Sequence, residues 1–266
     1  MAARRLSAAI GLTAACLSVS GIGTLARAQD IAVAAAADLQ SVLPSLAERF
    51  QRQTGHAVRV TFGSSGNFYA QIQNGAPFDL FLSADADYPK RLQGAGLVEP
   101  DDLYTYAIGR IVLWARKDSG FDLRGGLQLL VHPEVRRVAV ANPAHAPYGR
   151  AAVAALQREH LYEAARSKFV LGENVSQAAQ FVESGNADAG IIALSLARSP
   201  ALRESGAYYE IPTSWYPPIE QAAVVLKASR HKETARRFLD FLKQPETGRV
   251  MQDFGFSIPQ PGGHRK

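Results

Sequence analysis

Eight short runs rich in Ala, Val, Ile and Leu, separated by stretches of helical periodicity, constrain this fold more than any single motif. The runs fall at 31–37, 57–62, 79–82, 110–116, 136–141, 168–171, 189–194 and 222–227. Between most of them, apolar residues recur every three or four positions, at 39–50, 68–73, 150–156, 175–182 and 234–242. In the last of these Phe238, Leu239 and Leu242 share one stripe. Apolar strands alternating with helices predict an α/β protein with largely parallel sheets, whose ligand sites lie beyond the carboxyl ends of the strands. The chain has no internal repeat and no low-complexity linker, and only 259–266, rich in Pro and Gly, reads as a loose tail.

The strand ends carry the chemistry. Gly63-Ser64-Ser65-Gly66 stops the alternating run 58–62 and opens a helical stretch, so Ser64 and Ser65 stand where a helix presents unpaired N–H groups. Amides, hydroxyls and the positive end of the helix dipole can together hold an oxyanion there without Lys or Arg. The same four residues are also ordinary turn and N-cap chemistry. Three further junctions have the same character. Ala35-Ala36-Ala37-Asp38 is slim enough for close backbone approach, with Asp38 at the N-cap of the next helix. Tyr148, after Asn142-Pro143-Ala144-His145-Ala146-Pro147, opens another helix with a phenol, and Gly172-Glu173-Asn174-Val175-Ser176 brings amides to a fourth.

Residues 1–28 read as a secretory signal: Arg4 and Arg5, an apolar run to Val19, and Ala26-Arg27-Ala28 as the cleavage site. The run is too short and too rich in small residues for a good membrane span. Cutting after Ala28 predicts a periplasmic protein of 238 residues (29–266), enough for one large or two modest domains. Cys16, the only cysteine, leaves with the signal, which removes disulfides, thiol nucleophiles and Cys-based zinc sites from consideration. A lipid-anchored Cys16 is the alternative, and Thr13-Ala14-Ala15 matches its motif poorly. Loss of Arg4, Arg5 and Arg27 lowers the net charge from +5 to +2, and without a basic run nucleic acid is not an expected partner.

Taken in order, these junctions resemble the periplasmic molybdate/tungstate-binding proteins that serve ABC importers. The likeness spans nearly the whole mature chain. It includes Phe62-Gly63-Ser64-Ser65-Gly66, Ala70-Gln71-Ile72-Gln73-Asn74-Gly75-Ala76-Pro77-Phe78-Asp79, Tyr106-Ala107-Ile108-Gly109-Arg110, Pro147-Tyr148-Gly149, Glu173-Asn174-Val175 and Phe254-Gly255-Phe256. The resemblance implies a two-lobed clamp with hinge crossings near 107–112 and 218–224, one lobe being 30–108 plus 224–258 and the other 109–223. It implies a binding protein rather than an enzyme, with no cofactor, that hands molybdate or tungstate to an inner-membrane ABC permease, and a monomer suits a clamp that must open and dock. The positions matching the family's donors are Ser65, with Ser64 beside it, Tyr148 and the Val175 amide. The first junction supplies Ala37 and Asp38, where the family usually carries a neutral donor. A tyrosine that other members draw from a later segment falls on Ala193.

Asp38 is the departure. An ionised carboxylate about 4 Å from a dianion costs several kcal/mol at an effective dielectric near 20. Either the side chain turns away to cap its own helix, leaving its amide for the ligand, or it accepts a proton from a protonated oxyanion such as hydrogen phosphate or arsenate. The second choice defines a rival reading, the same clamp with a phosphate- or sulfate-like ligand. A rival of another class is an exported hydrolase using Ser64 or Ser65 with His145, but the chain lacks a G-x-S-x-G elbow. His145 otherwise reads as a structural loop residue. Asp79 and Asp85 read as cap and turn residues, Trp114, Trp215 and Tyr216 as packing or hinge aromatics, and Arg110 and Arg150 as steering charges near the cleft.

Overall fold

A computed structural model describes residues 30–259 of the chain. The signal-peptide reading of 1–28 and all but the first residue of the 259–266 tail lie outside the described residues. The described residues include ten strands: β1 (Ile31–Ala36), β2 (Val58–Gly63), β3 (Leu80–Ser83), β4 (Tyr104–Gly109), β5 (Ile111–Arg116), β6 (Val138–Ala141), β7 (Phe169–Gly172), β8 (Ala189–Ala193), β9 (Gly206–Glu210) and β10 (Ile219–Val225). They form two five-stranded sheets, in the orders β2-β1-β3-β10-β4 and β7-β6-β8-β5-β9. Each sheet repeats one plan. Three parallel strands stand side by side, and the fourth strand, β10 or β5, runs antiparallel to both its neighbours.

The continuous apolar runs follow from burial on both faces. In β3, Leu80 and Leu82 enter one apolar cluster while Phe81 enters another on the opposite face; Ala223 and Val225 of β10 part from Val224 in the same way. A strand with side chains directed alternately into two cores has no polar face to show in its sequence. On one side the helix Lys232–Leu242 packs Phe238 and Phe241 against Phe50, with ring centroids 5.0 and 5.6 Å from it. The buried stripe of that helix is Phe238, Leu239 and Phe241, and Leu242 is only partly covered. In the second sheet Trp114 is fully buried and donates its indole N–H to the Leu202 carbonyl at 3.3 Å. Gly206 is required beside it, because a Cβ there would stand 2.0 Å from the indole ring.

The structure moves several boundaries. β4 and β9 were not among the expected runs: Tyr104-Thr105-Tyr106 and Tyr208-Tyr209-Glu210 are edge-strand residues, polar enough to interrupt an apolar pattern. The helix expected from residue 39 begins at Leu43, after a single 3-10 turn at Ala37–Leu39, because Pro44 favours a helix start. The return to the first sheet comes at Ile219, immediately after Pro217-Pro218, so a lobe boundary at 224 would cut β10 in its middle.

Candidate functional site

Five of the six parallel strands end at one hollow between the sheets. β1 brings Ala36, Ala37 and Asp38, and β2 brings Gly63, Ser64 and Ser65. β3 adds Ala84, while β6 leads into Ala146, Pro147 and Tyr148 and β7 into Asn174 and Val175. No Lys, Arg or His side chain is in this lining. The cavity is small, about 10 Å³ for the centre of a water-sized sphere, which is roughly one such sphere.

The sequence dictates how each wall offers its donors. Ser64 is the N-cap of the helix Ser65–Gln73, in extended conformation with its hydroxyl facing the Asn67 N–H at 3.5 Å. That leaves Ser65 as the first helical residue, whose own N–H has no partner within the helix. The fully buried Ser65 hydroxyl oxygen accepts the Ala84 N–H at 2.9 Å, so its proton remains to be given. On the facing lobe, Asn174 caps the helix Val175–Glu183 by accepting the Ser176 and Gln177 N–H groups, each at 3.0 Å. The Val175 amide, at the first position of that helix, lies outside the cap. Tyr148 sits in the first turn of the helix Pro147–Arg158, 3 % exposed.

Asp38 does not cap a helix. Its carboxylate reaches the other lobe's Tyr148, whose O–H Oδ2 accepts at 2.9 Å, and the same oxygen accepts the Nε2–H of Gln221, on β10 of its own sheet, at 2.6 Å. Its main-chain carbonyl accepts the Ser195 O–H at 2.7 Å. The second carboxyl oxygen, Oδ1, is buried without a partner. Burial removes the water that would stabilise the charge and pushes the Asp38 pKa up to about 6, with the Gln221 and Tyr148 hydrogen bonds pulling the other way. Burial and the neighbouring carboxylate also hold the Tyr148 and Tyr106 phenols well above their usual range.

Gln221, Tyr106 and Gly109 are the participants that sequence reasoning missed as site residues. Gln221, fully buried in β10 at a register shift, accepts the Tyr106 O–H at 2.8 Å and donates to the Tyr148 hydroxyl at 3.0 Å. Gly109 leaves room for this contact: a Cβ there would lie 2.2 Å from the Tyr148 oxygen and 2.8 Å from Gln221 Nε2. The available signal was a glutamine just ahead of an apolar run, which burial makes costly unless both ends of the amide are paired.

His145 lies on the opposite lobe from Ser64 and binds it. The Ser64 Oγ lies 2.8 Å from His145 Nδ1 and 2.9 Å from the His145 carbonyl, which in turn accepts the Gly66 N–H at 3.0 Å. A hydroxyl has one proton; given to the carbonyl, it leaves Nδ1–H as the donor to Oγ. Glu173 stands 3.7 Å from His145 Nε2. The grouping fastens the lobes together, since Ser64 of one lobe binds both the ring and the main chain of His145 of the other.

Apart from Asp38, the charged residues considered above lie outside the hollow. Arg150 pairs with Asp85 across the lobes and covers the Tyr88 ring at 5.6 Å, while Arg110 pairs with Glu210 at 2.9 Å. Asp79 accepts the Ala32 N–H at 2.8 Å and the Ser229 O–H at 2.6 Å, and Asp85 also accepts the Asp87 N–H at 2.8 Å. Asp79 is thereby committed to its own lobe, and Asp85 to a turn and to the pair across the lobes. Trp114 is core, and Tyr216 donates no charge but accepts the Ile111 N–H at 3.3 Å, where the chain crosses between sheets.

Two sheets of this order, with helix starts from both meeting at one hollow, define a two-lobed binding protein of the periplasmic type. The model of the family described as bacterial extracellular solute-binding protein matches residues 31–257, and the chain belongs to that family. It is 38 % identical to the molybdate-binding protein ModA of Azotobacter vinelandii over 241 residues, 90 % of this chain and 95 % of that one. Identity to the molybdate-binding protein ModA of Rhodobacter capsulatus is also 38 %, over 246 residues, 92 % and 95 % of the two chains. The solved structure of the Azotobacter vinelandii periplasmic molybdate-binding protein superposes with a TM-score of 0.81 at 37 % identity, covering 86 % of this chain and all of that one.

Proposed function

We propose that this chain captures molybdate, and tungstate with it, between its lobes in the periplasm and delivers the anion to an ABC permease. The observation that carries the reading is a hollow walled by helix N-termini and hydroxyls from both lobes, with no cation in its lining. A tetrahedral dianion would draw on the Ser65 amide and hydroxyl, the Val175 amide, the Tyr148 hydroxyl and the backbone at Ala37 and Asp38. Hydrogen bonds to a charged group are worth ~1.5–3 kcal/mol each, enough in a set of this size for tight binding after the cost of closure. Because the donors come from both lobes, the anion favours the closed clamp, and closure is what a permease can read. Selection then follows from cavity size and donor count. The likeness to two molybdate-binding proteins at 38 % identity supports this choice of anion. The apolar N-terminal segment with its A-x-A site supports export and cleavage after Ala28, and a clamp that must open and dock suits a monomer.

A thermal-shift panel at one ionic strength, with molybdate, tungstate, sulfate, phosphate, arsenate and chloride, tests the reading. Ligand at 100 times Kd adds ~2.7 kcal/mol, and at ~2–4 °C per kcal/mol the expected shift is roughly 5–11 °C for molybdate and tungstate. A shift with phosphate or arsenate alone would transfer the assignment to a protonated oxyanion. No shift with any of them would reject it.

A further inference from the structure

We propose that Asp38 makes this clamp bind its dianion together with one proton, the carboxyl being ionised before the anion enters and neutral in the filled site. The inference rests on the oxyanion reading above and adds to it a proton that the anion alone does not supply.

The geometry sets a conflict over one hydrogen. Tyr148 has a single phenolic proton, and in this structure it goes to Asp38 Oδ2 at 2.9 Å. The same proton is the only one with which Tyr148 can bind an oxyanion. Gln221 cannot free it, since its amide already donates to Oδ2 at 2.6 Å and its oxygen accepts from Tyr106. As long as Asp38 is ionised, it is itself the anion that this donor set holds. A proton on the carboxyl resolves the conflict twice over. It weakens the hold on the Tyr148 hydroxyl, and it removes a like charge from the wall of the hollow.

The orphan oxygen fits the same account. Asp38 lines the hollow, and its Oδ1 has neither solvent nor partner. A buried carboxylate oxygen without a donor is costly, whereas a carboxyl O–H at that atom is a further donor for an anion oxygen. Solvent supplies the proton as the anion arrives and recovers it on release.

The surroundings leave Asp38 as the group that responds. The ionisable side chains facing it are Tyr148, on the helix Pro147–Arg158, and Tyr106, on β4, and both phenols stay neutral. β10 presents the uncharged Gln221. The other elements packed on the Ala37–Leu39 turn are β2 and the helices Val175–Glu183 and Leu194–Ala197. On β2, Arg59 pairs with Ala32 far from the strand's end; Glu183 is at the far end of its helix, and Leu194–Ala197 has no ionisable residue. His145, which binds Ser64, is a further ionisable side chain beside the site, so the test must separate it.

Isothermal titration of the purified protein with molybdate, from pH 6 to 8.5 in buffers of different ionisation enthalpy, counts the protons directly. The expected result is uptake of about one proton per anion at pH 8, and an affinity that falls about tenfold per pH unit above about pH 6.5. Asp38→Asn and Asp38→Ser should bind without proton uptake and with a flat pH profile, while His145→Gln should keep the wild-type slope. A flat wild-type profile without uptake overturns the proposal, and so does a slope that survives in both Asp38 variants and disappears in His145→Gln. Absence of molybdate binding by the wild type at every pH rejects the oxyanion reading itself. Binding without a proton rejects only the role given to Asp38.

Discussion

The lobes touch in two ways, and the two contacts are built on opposite electrostatic principles. Inside, Asp38 of one lobe meets Tyr148 and Ser195 of the other, with Gln221 between, all buried and without a cation. At the rim, Arg150 meets Asp85 and Asn67 meets Glu173, with Arg150 and Glu173 substantially exposed. An exposed ion pair contributes ~0–1 kcal/mol, because water and salt compete for both partners. A buried hydrogen bond contributes a similar net amount while intact, but breaking it strands a polar group at ~1–3 kcal/mol, and more for a charge. The interior therefore decides whether the closed form can exist and what it encloses. The rim can guide an anion inward without competing for it.

The sharpest way to break the interior is through Gly109. Gly109→Ala would place a methyl 2.2 Å from the Tyr148 oxygen, in a contact with no free space. Overpacking of this kind costs ~1–3 kcal/mol in stability, and because it displaces a donor, molybdate affinity in titration should drop by at least about 100-fold. Next comes Asp38 in the unliganded protein. Its pKa is raised from 3.8 to about 6, so the folded state holds the proton more firmly than the unfolded chain does. The resulting stability is full below pH 3.8 and is lost as pH rises to about 6. At ~1.36 kcal/mol per unit, wild type should fall behind Asp38→Asn by up to ~3 kcal/mol between pH 4 and 7 in urea denaturation. A constant difference across that range would mean the buried carboxylate is not strained in the folded protein.

Much of this interior was legible in the sequence, for a reason visible in its parts. Ser65, Tyr148 and Val175 stand directly after apolar strands and open helices, and a strand-to-helix junction leaves a local signature of Gly, Pro, Ser and Asn. Strand β1, with its run of alanines, was equally plain. What escaped was set by tertiary pairing. Gln221 looks like a polar flank of the 222–227 run until β10 is seen to lie between β3 and β4, burying both ends of its amide. Gly109 is one glycine among 22 until Tyr148, 39 residues on, occupies the place of its missing side chain. Asp38 reads locally as either a helix cap or a ligand acceptor, because the partner that fixes it is 110 residues away. β4 and β9 escaped because each gains its place from a neighbour and not from its own pattern.

The remaining tests compare one donor with one rim charge. Tyr148→Phe removes the phenol O–H and leaves the ring in place, so affinity for molybdate should fall by about 10- to 150-fold, the worth of one hydrogen bond to a charged group at ~1.5–3 kcal/mol. Arg150→Gln removes a rim cation that is paired across the lobes. Its effect should stay within about fivefold at low salt, consistent with an exposed pair of under ~1 kcal/mol, and should fade by 0.5 M salt as screening shortens the reach of the charge. In stopped-flow binding the change should fall on the association rate, since Arg150 acts on the approaching anion and does not line the hollow. If Arg150→Gln cost as much as Tyr148→Phe, and did so through dissociation at high salt, the rim would be holding the anion as well as steering it. The division between a cation-free interior and an ionic edge would then fail.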